Sequence, residues 1–192
     1  MRSLFPFALG CALALGACSG ASTPAIQPSA PFTPELAQQF DDSVDYAENV
    51  EDLGGPQASS WRRQVDGLAS NADAIAVVRI ETVTSGNDAA GARTYRLTSA
   101  ARSVIHGQIP PDHRVYLAVS EGEVGFNTVR GNEPRLQSRD YVLFARWYTD
   151  ESGVVRAHWH LSPQSTALIQ RIHDAIGFVD PNAPRETVIR RD

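Results

Sequence analysis

Cysteine is scarce in this sequence, and lysine is missing altogether. The 192-residue chain has two cysteines, Cys11 and Cys18, both close to its N-terminus, so a framework of internal disulfides is excluded. All 17 positively charged residues are arginines, scattered over the whole length, and we assign them no role in recognition. The formal net charge of −5 argues against a nucleic-acid partner, because such proteins present a basic face.

A long apolar run is also missing. The run "LFPFALGCALALGA" (residues 4–17) is shorter than the roughly 20 apolar residues that a membrane-spanning helix needs. It follows Arg2 and ends in small residues, which is the pattern of a secretory signal sequence. An ordinary secreted protein with a chance cysteine would also show this pattern.

The end of that run, Leu15-Gly16-Ala17-Cys18, resembles the bacterial lipobox. The resemblance implies cleavage before Cys18, a thioether-linked lipid on its sulfur, and acylation (palmitate) of the new N-terminus. Residues 1–17 are then a lipoprotein signal peptide, and Cys18 is the membrane anchor. Ser19, rather than Asp, implies sorting to the outer membrane of a Gram-negative cell, with either a periplasmic or a surface-facing orientation.

The stretch after Cys18 predicts a tether and then a helix. Residues 18–32 are rich in proline and small residues and uncharged, as expected of a flexible tether. Thr33-Pro34 predicts a helix start within an acidic amphipathic helix or linker over residues 33–58. Its apolar face would hold Leu36, Phe40 and Val44. The acids opposite, beginning with Asp41 and Asp42, are interpreted as a solvated face, and Gly54-Gly55-Pro56 as the stop.

The folded domain is predicted over residues 59–180, with a tail at 181–192. A helix over 59–71 opens the domain and a helix from Ser162 to about Phe178 closes it. Between them, period-two patterns predict five strands, at residues 74–83, 92–107, 114–120, 140–149 and 154–161. This order, without βαβ alternation, favours a small antiparallel barrel or sheet with helices packed on it.

Three stretches resemble the OB-type barrel of netrin-like and metalloproteinase-inhibitor (TIMP) domains, and uncharacterised bacterial lipoproteins that carry such a domain. They are "LASNADAIAVVRIETV", "YRLTSAARSVIHGQIPPDHRVYLAV" and "LQSRDYVLFARW". The resemblance implies a mainly β, five-stranded antiparallel OB-like barrel with an N-terminal and a C-terminal helix. The TIMP mechanism needs a free N-terminal cysteine amine and disulfides, which an acylated Cys18 does not offer. What the resemblance then implies is a non-catalytic barrel that binds an unidentified envelope protein.

The stretch "RAHWHLS" is the strongest candidate for chemistry. In a strand, His158 and His160 share one face and Trp159 lies on the other, so both imidazoles could reach one zinc or copper ion. Zinc sites in proteins have three or four protein ligands, however, and the sequence shows no third candidate ligand at a spacing typical of such sites. An ordinary half-buried strand is the favoured explanation of the pattern. An unrecognised hydrolase also stays open, although no Gly-x-Ser-x-Gly elbow is present.

The segment 121–138 is the candidate partner-binding loop. It is 18 residues long without a clear strand pattern, and loops of that length in compact domains are usually functional or disordered. Phe126, between Gly125 and Asn127, is predicted to be its exposed apolar anchor. The predicted core, by contrast, consists of Trp61, Leu68, Val77, Leu97, Leu143, Trp159 and Ile172.

Overall fold

The computed structural model describes residues 26–28, 31–47, 54–88 and 91–177. The predicted signal peptide, Cys18 and the predicted tail at 181–192 lie outside these ranges. Within them, no helix has both the length and the apolar character to cross a membrane.

A curled sheet of six strands forms the body of the molecule. In chain order the elements are α1 (Pro34–Ala37), β1 (Ser43–Val44), α2 (Gly55–Asn71), β2 (Ala74–Asn87), β3 (Arg93–Gly107), β4 (Arg114–Ser120), α3 (Phe126–Val129), α4 (Glu133–Gln137), β5 (Asp140–Thr149), β6 (Val155–Pro163) and α5 (Thr166–Ala175). The strand order is β1-β6-β5-β2-β3-β4. Neighbouring strands are antiparallel except for β1, which pairs parallel to β6.

The curl brings the two ends of the sheet close together. β2 has three register irregularities against β3, and such bulges bend a strand and increase its twist. Near the far edge, the indole Nε1 of Trp159 in β6 donates to the carbonyl of Ala118 in β4 at 3.1 Å. No ladder joins β4 to β6 in the described ranges, and the sheet is a mixed half-barrel. The predicted five-stranded antiparallel OB-like barrel is therefore not confirmed, whereas a mainly β fold is.

The inner face of the sheet is buried along all six strands, and the outer face is buried over β2 and β5. The inner face packs side chains from all six strands together with α3 and α4, among them Ala76, Val78, Leu97, Leu117, Leu143, Trp159 and Leu161. On the outer face, α2, α5 and the segment between α1 and β1 pack on the sheet in a second core, which contains Phe40, Val65, Leu68, Ile75, Val142, Phe144, Leu168 and Ile172. Of the predicted core, only Trp61 is not buried; it is half-buried against the outer core.

The prediction of one acidic helix or linker over 33–58 is wrong as a continuous helix, because the described residues 38–47 after α1 are not helical. Thr33 does cap α1, but the chain then turns at Asp42, whose φ is 54°. The backbone N–H groups of Asp42 and Asp45 donate to carbonyls of β6. The reason lies in two apolar residues: Phe40 enters the outer core and Val44 the inner core, which one helical face cannot do. Gly54, predicted to end a helix, instead precedes α2, which begins at Gly55.

Part of the predicted tether also packs on the domain. Ile26 is partly buried against the inner core, where it lines a pocket with Gly107, Gln108 and Trp147. Phe32 is partly buried against the outer core. The expected lack of packing over residues 18–32 is therefore wrong at these two positions.

Candidate functional site

The N-terminal arm, residues 31–47, crosses the edge of β6 at Asp42. The Asp42 N–H donates to the carbonyl of Trp159, and its carboxylate Oδ1 accepts the Trp159 N–H, both at 2.9 Å. Gly125 approaches the arm closely, since a Cβ added there would lie 1.8 Å from the Asp42 carbonyl oxygen. Asp42 is 8% exposed and is fixed from both sides.

His158 is held in a single orientation. Its Nδ1 lies 2.9 Å from Asp42 Oδ2, and its ring stacks between Phe32 (centroids 4.0 Å apart) and Tyr148 (4.5 Å). When Asp42 is ionised, its carboxylate only accepts hydrogen bonds, and the proton then lies on Nδ1 of His158. The side chain is half-buried and lines a cleft described below.

His160 is buried beneath the same arm. Its Nδ1 lies 3.2 Å from Asp41 Oδ1 and 3.3 Å from Ser43 Oγ, and the Ser43 hydroxyl donates to Asp41 Oδ1 at 2.6 Å. Serine and aspartate therefore meet at one ring nitrogen, whereas a catalytic triad places them on opposite nitrogens. This cluster fastens the arm and has no geometry for relaying a proton from the serine.

Burial and partners shift the two carboxyl groups differently. Burial raises the pKa of Asp42 and outweighs the opposing hydrogen bond and charge of His158. Burial also acts to raise the pKa of Asp41, but the hydrogen bonds from His160 and Ser43, with the charge of His160, outweigh it and lower that pKa. The Asp41 carboxyl is thus favoured in its ionised form.

The structure changes the interpretation of the two histidines and of the acids. The imidazoles share a face of β6 and Trp159 occupies the other, as predicted, but His160 is only 4% exposed rather than turned to water. The interpretation of Asp41 and Asp42 as a solvated face is wrong, because each carboxylate binds a histidine. Among the described residues, no three His, Cys, Asp or Glu side chains converge to hold a metal.

A polar cleft of about 290 Å³ opens between the β3–β4 face and β6. It is lined by Asp42, Asp88, Thr94, Arg96, Tyr116, Ala118, Ser120, Glu123, Tyr148, Arg156, Ala157 and His158. Most of its charges have partners within the protein. Glu123 accepts the Ser120 N–H, Asp88 accepts the Ala92 N–H, and Arg156 pairs with Asp150.

One exposed large apolar side chain lines this cleft. Of the five that are exposed in the described part of the chain, only Tyr116 belongs to the lining. The sequence pattern does not reveal the cleft, because its lining residues belong to separate segments that the curl of the sheet assembles.

The predicted exposure of Phe126 is wrong. Its side chain is 4% exposed and packs in the inner core, with its ring centroid 5.3 Å from that of Tyr95. The preceding Gly125 lets the chain press against the arm, and the first turn of α3 then points Phe126 inward. Half of the segment 121–138 thus lies in two short helices, α3 and α4, and the segment is not an open loop.

The comparisons with known proteins add no identification. No protein-family model matches the chain, and neither a curated protein nor a solved structure shows significant similarity to it. The arguments about function that follow are therefore based on the residues and their geometry.

Proposed function

We propose that the protein is a lipid-anchored lipoprotein of a Gram-negative envelope that acts as a non-catalytic protein-binding module. The lipobox-like Leu15-Gly16-Ala17-Cys18 supports the anchor. Lipidated Cys18 places the domain at the outer membrane, in a periplasmic or surface-facing orientation.

An exposed tyrosine at the cleft carries the binding part of the proposal. The Tyr116 side chain is 64% exposed and lines a cleft that also holds Arg96 and Arg156. Tyrosine and arginine are the residues enriched at binding hot spots. The cleft therefore replaces Phe126 as the partner-binding surface.

The arrangement of the strands supports a finer fold proposal, an OB-type barrel that is left partly open. β2 pairs with both β3 and β5, and the Trp159–Ala118 contact bridges the gap where a closed barrel would be sealed. OB-type barrels bind ligands on the face of their second and third strands. When the strands of this chain are counted from β2, leaving out the two-residue β1, the second and third strands are β3 and β4. These two strands form one wall of the cleft.

The anchor is tested with Cys18→Ser. We expect this variant to leave the membrane fraction and to lose the mass of its acyl chains, because the thioether and the processed N-terminus both need the cysteine. Membrane fractionation with mass spectrometry of the mature chain measures both. A variant that still pellets with membranes at the same mature mass contradicts the lipoprotein proposal.

The binding surface is tested by photo-crosslinking in living cells. A benzophenone amino acid replaces Tyr116 or, as the matched control, Val104, which is exposed outside the cleft. We expect a discrete protein adduct from position 116 and none from position 104. Equal adducts from both positions, or none from position 116, contradict a protein-binding cleft.

A further inference from the structure

The cleft brings together a histidine and two tyrosines. The His158 ring stacks on Tyr148, with the ring centroids 4.5 Å apart, and both side chains line the cleft together with the exposed Tyr116. Asp42 binds Nδ1 of His158, and among the described residues Nε2 has no hydrogen-bond partner. One nitrogen of a histidine whose orientation is fixed is therefore left for a ligand.

The carboxylates of the cleft are not balanced by its arginines. The lining includes three carboxylates and two guanidiniums, those of Asp42, Asp88, Glu123, Arg96 and Arg156. Arg156 is bound to Asp150, which does not belong to the lining. The Arg96 guanidinium extends toward Gly86 in β2. Neither guanidinium forms an ion pair with Asp42 or Glu123 in the described part of the chain.

The negative charge of these carboxylates acts on the aromatic side of the cleft. Burial raises the pKa of Tyr148, and three carboxylates raise it further against the opposing charge of one guanidinium. These groups belong to Asp42, Asp150, Glu123 and Arg156. Burial also raises the pKa of Asp42, and the charge of Glu123 adds to this effect. A positively charged group placed among these side chains is stabilised by the same charges.

The free polar atoms beside these rings accept hydrogen bonds. Glu123 uses one carboxylate oxygen for the Ser120 N–H, and its other oxygen has no partner among the described residues. With Asp42 ionised, a neutral His158 has its proton on Nδ1, so that Nε2 is an acceptor. Guanidinium and ammonium groups have only donors and a positive charge. The exposed Tyr116 ring adds an aromatic face, on which such cations also pack favourably.

We propose that the cleft binds an arginine or lysine side chain of the partner, with the charged head against Glu123 and His158 and the aliphatic stem on Tyr116. This inference rests on the proposed protein-binding function and names the chemistry of the partner at that site. A metal cation fits less well, because in the described ranges no three His, Cys, Asp or Glu side chains converge.

The test uses the mature protein in detergent and two small probes, Nα-acetyl-arginine amide and its uncharged isostere Nα-acetyl-citrulline amide. We expect the arginine probe to shift the NMR signals of the Tyr116 amide and the His158 imidazole, and the citrulline probe to bind more weakly. Glu123→Gln removes the charge and keeps an oxygen for the Ser120 N–H. It should weaken binding of the arginine probe about ten-fold, as loss of a hydrogen bond between charged groups does. Glu151→Gln, which removes an exposed charge outside the lining, should leave the affinity unchanged.

Four results would overturn the inference. Two of them are equal binding of both probes and no saturable response to the arginine probe in the millimolar range. The third is an equal loss of affinity in Glu151→Gln, which would reveal a general effect of surface charge. The fourth is a stronger response to calcium than to the arginine probe at equal ionic strength, which would indicate a metal site. If the adduct from position 116 is found in cells, the protein-binding function stands even where this inference fails, whereas absence of that adduct rejects the function itself.

Discussion

Replacing Asp42 by alanine should destabilise the protein by about 2–4 kcal/mol. The substitution leaves the Trp159 N–H without its acceptor, and an unsatisfied buried donor costs about 1–3 kcal/mol. It also places alanine at φ 54°, where a residue other than Gly, Asn or Asp costs about 1–2 kcal/mol. His158 loses its carboxylate partner as well. Some relaxation of the arm keeps the total below the sum of these effects.

Asp42→Asn is the matched control. Asparagine tolerates positive φ and keeps one oxygen for the Trp159 N–H. It also avoids burying a charge, which matters because burial raises the pKa of Asp42. We therefore expect it to change the free energy of unfolding by less than about 1 kcal/mol.

Urea unfolding followed by tryptophan fluorescence measures both variants, since Trp159 lies at the site. In thermal unfolding, the Tm of the alanine variant should lie about 5–15 °C below that of the wild type for a chain of this size. If Asp42→Ala unfolds within 0.5 kcal/mol of the wild type, on the order of an ordinary surface substitution, the arm is not fastened as we describe.

Gly125→Ala should release the arm, because the added Cβ would lie 1.8 Å from the Asp42 carbonyl oxygen. Limited proteolysis should then cut residues 31–47 faster. Gly67→Ala, whose added Cβ makes only ordinary contacts, should leave the rate of cleavage unchanged. Leu143→Ala, at a fully buried position, should cost about 2–5 kcal/mol, and an unchanged melt would mean that β5 faces the other way. In the folded protein the pKa of Asp41 lies below its usual 3.8. In the unfolded chain this carboxyl therefore binds a proton at a higher pH, and the free energy of unfolding falls as the pH drops through 3.8 and below. Asp41→Asn should reduce this loss of stability at acid pH, measured as the free energy of unfolding at several pH values. An unchanged dependence on pH would contradict the Asp41–His160 pair.

Strands with one repeating pattern were predictable from sequence. β4 and β5 have the bounds that the periodicity predicts, Arg114–Ser120 and Asp140–Thr149. In β4, side chains alternate strictly between buried and exposed, so the period of two is visible. β5 is recognised by its continuous apolar run, because α2 and α5 cover its second face.

The arm and the cleft could not be predicted in the same way. Leu36, Phe40 and Val44 have helical spacing, yet the last two enter different cores, and only the tertiary structure decides between one helical face and two sheet faces. Phe126 is directed by the contact of Gly125 with a segment more than 80 residues earlier, which local composition does not record. The histidine partners of Asp41 and Asp42 in β6 lie even farther along the chain, 119 and 116 residues later.

The docking of Ile26 would shorten the reach of a domain that is anchored at Cys18. A fully extended chain over residues 19–32 would reach at most about 50 Å, but with Ile26 docked beside Trp147 the reach is set by the chain between Cys18 and Ile26, at most about 26–29 Å. The volume swept from a fixed point scales with the cube of this radius. On lipidated Cys18, docking would therefore raise the effective concentration of the cleft near the membrane by roughly five-fold. Release of Ile26 would lower that local concentration and would let the cleft reach partners farther from the bilayer.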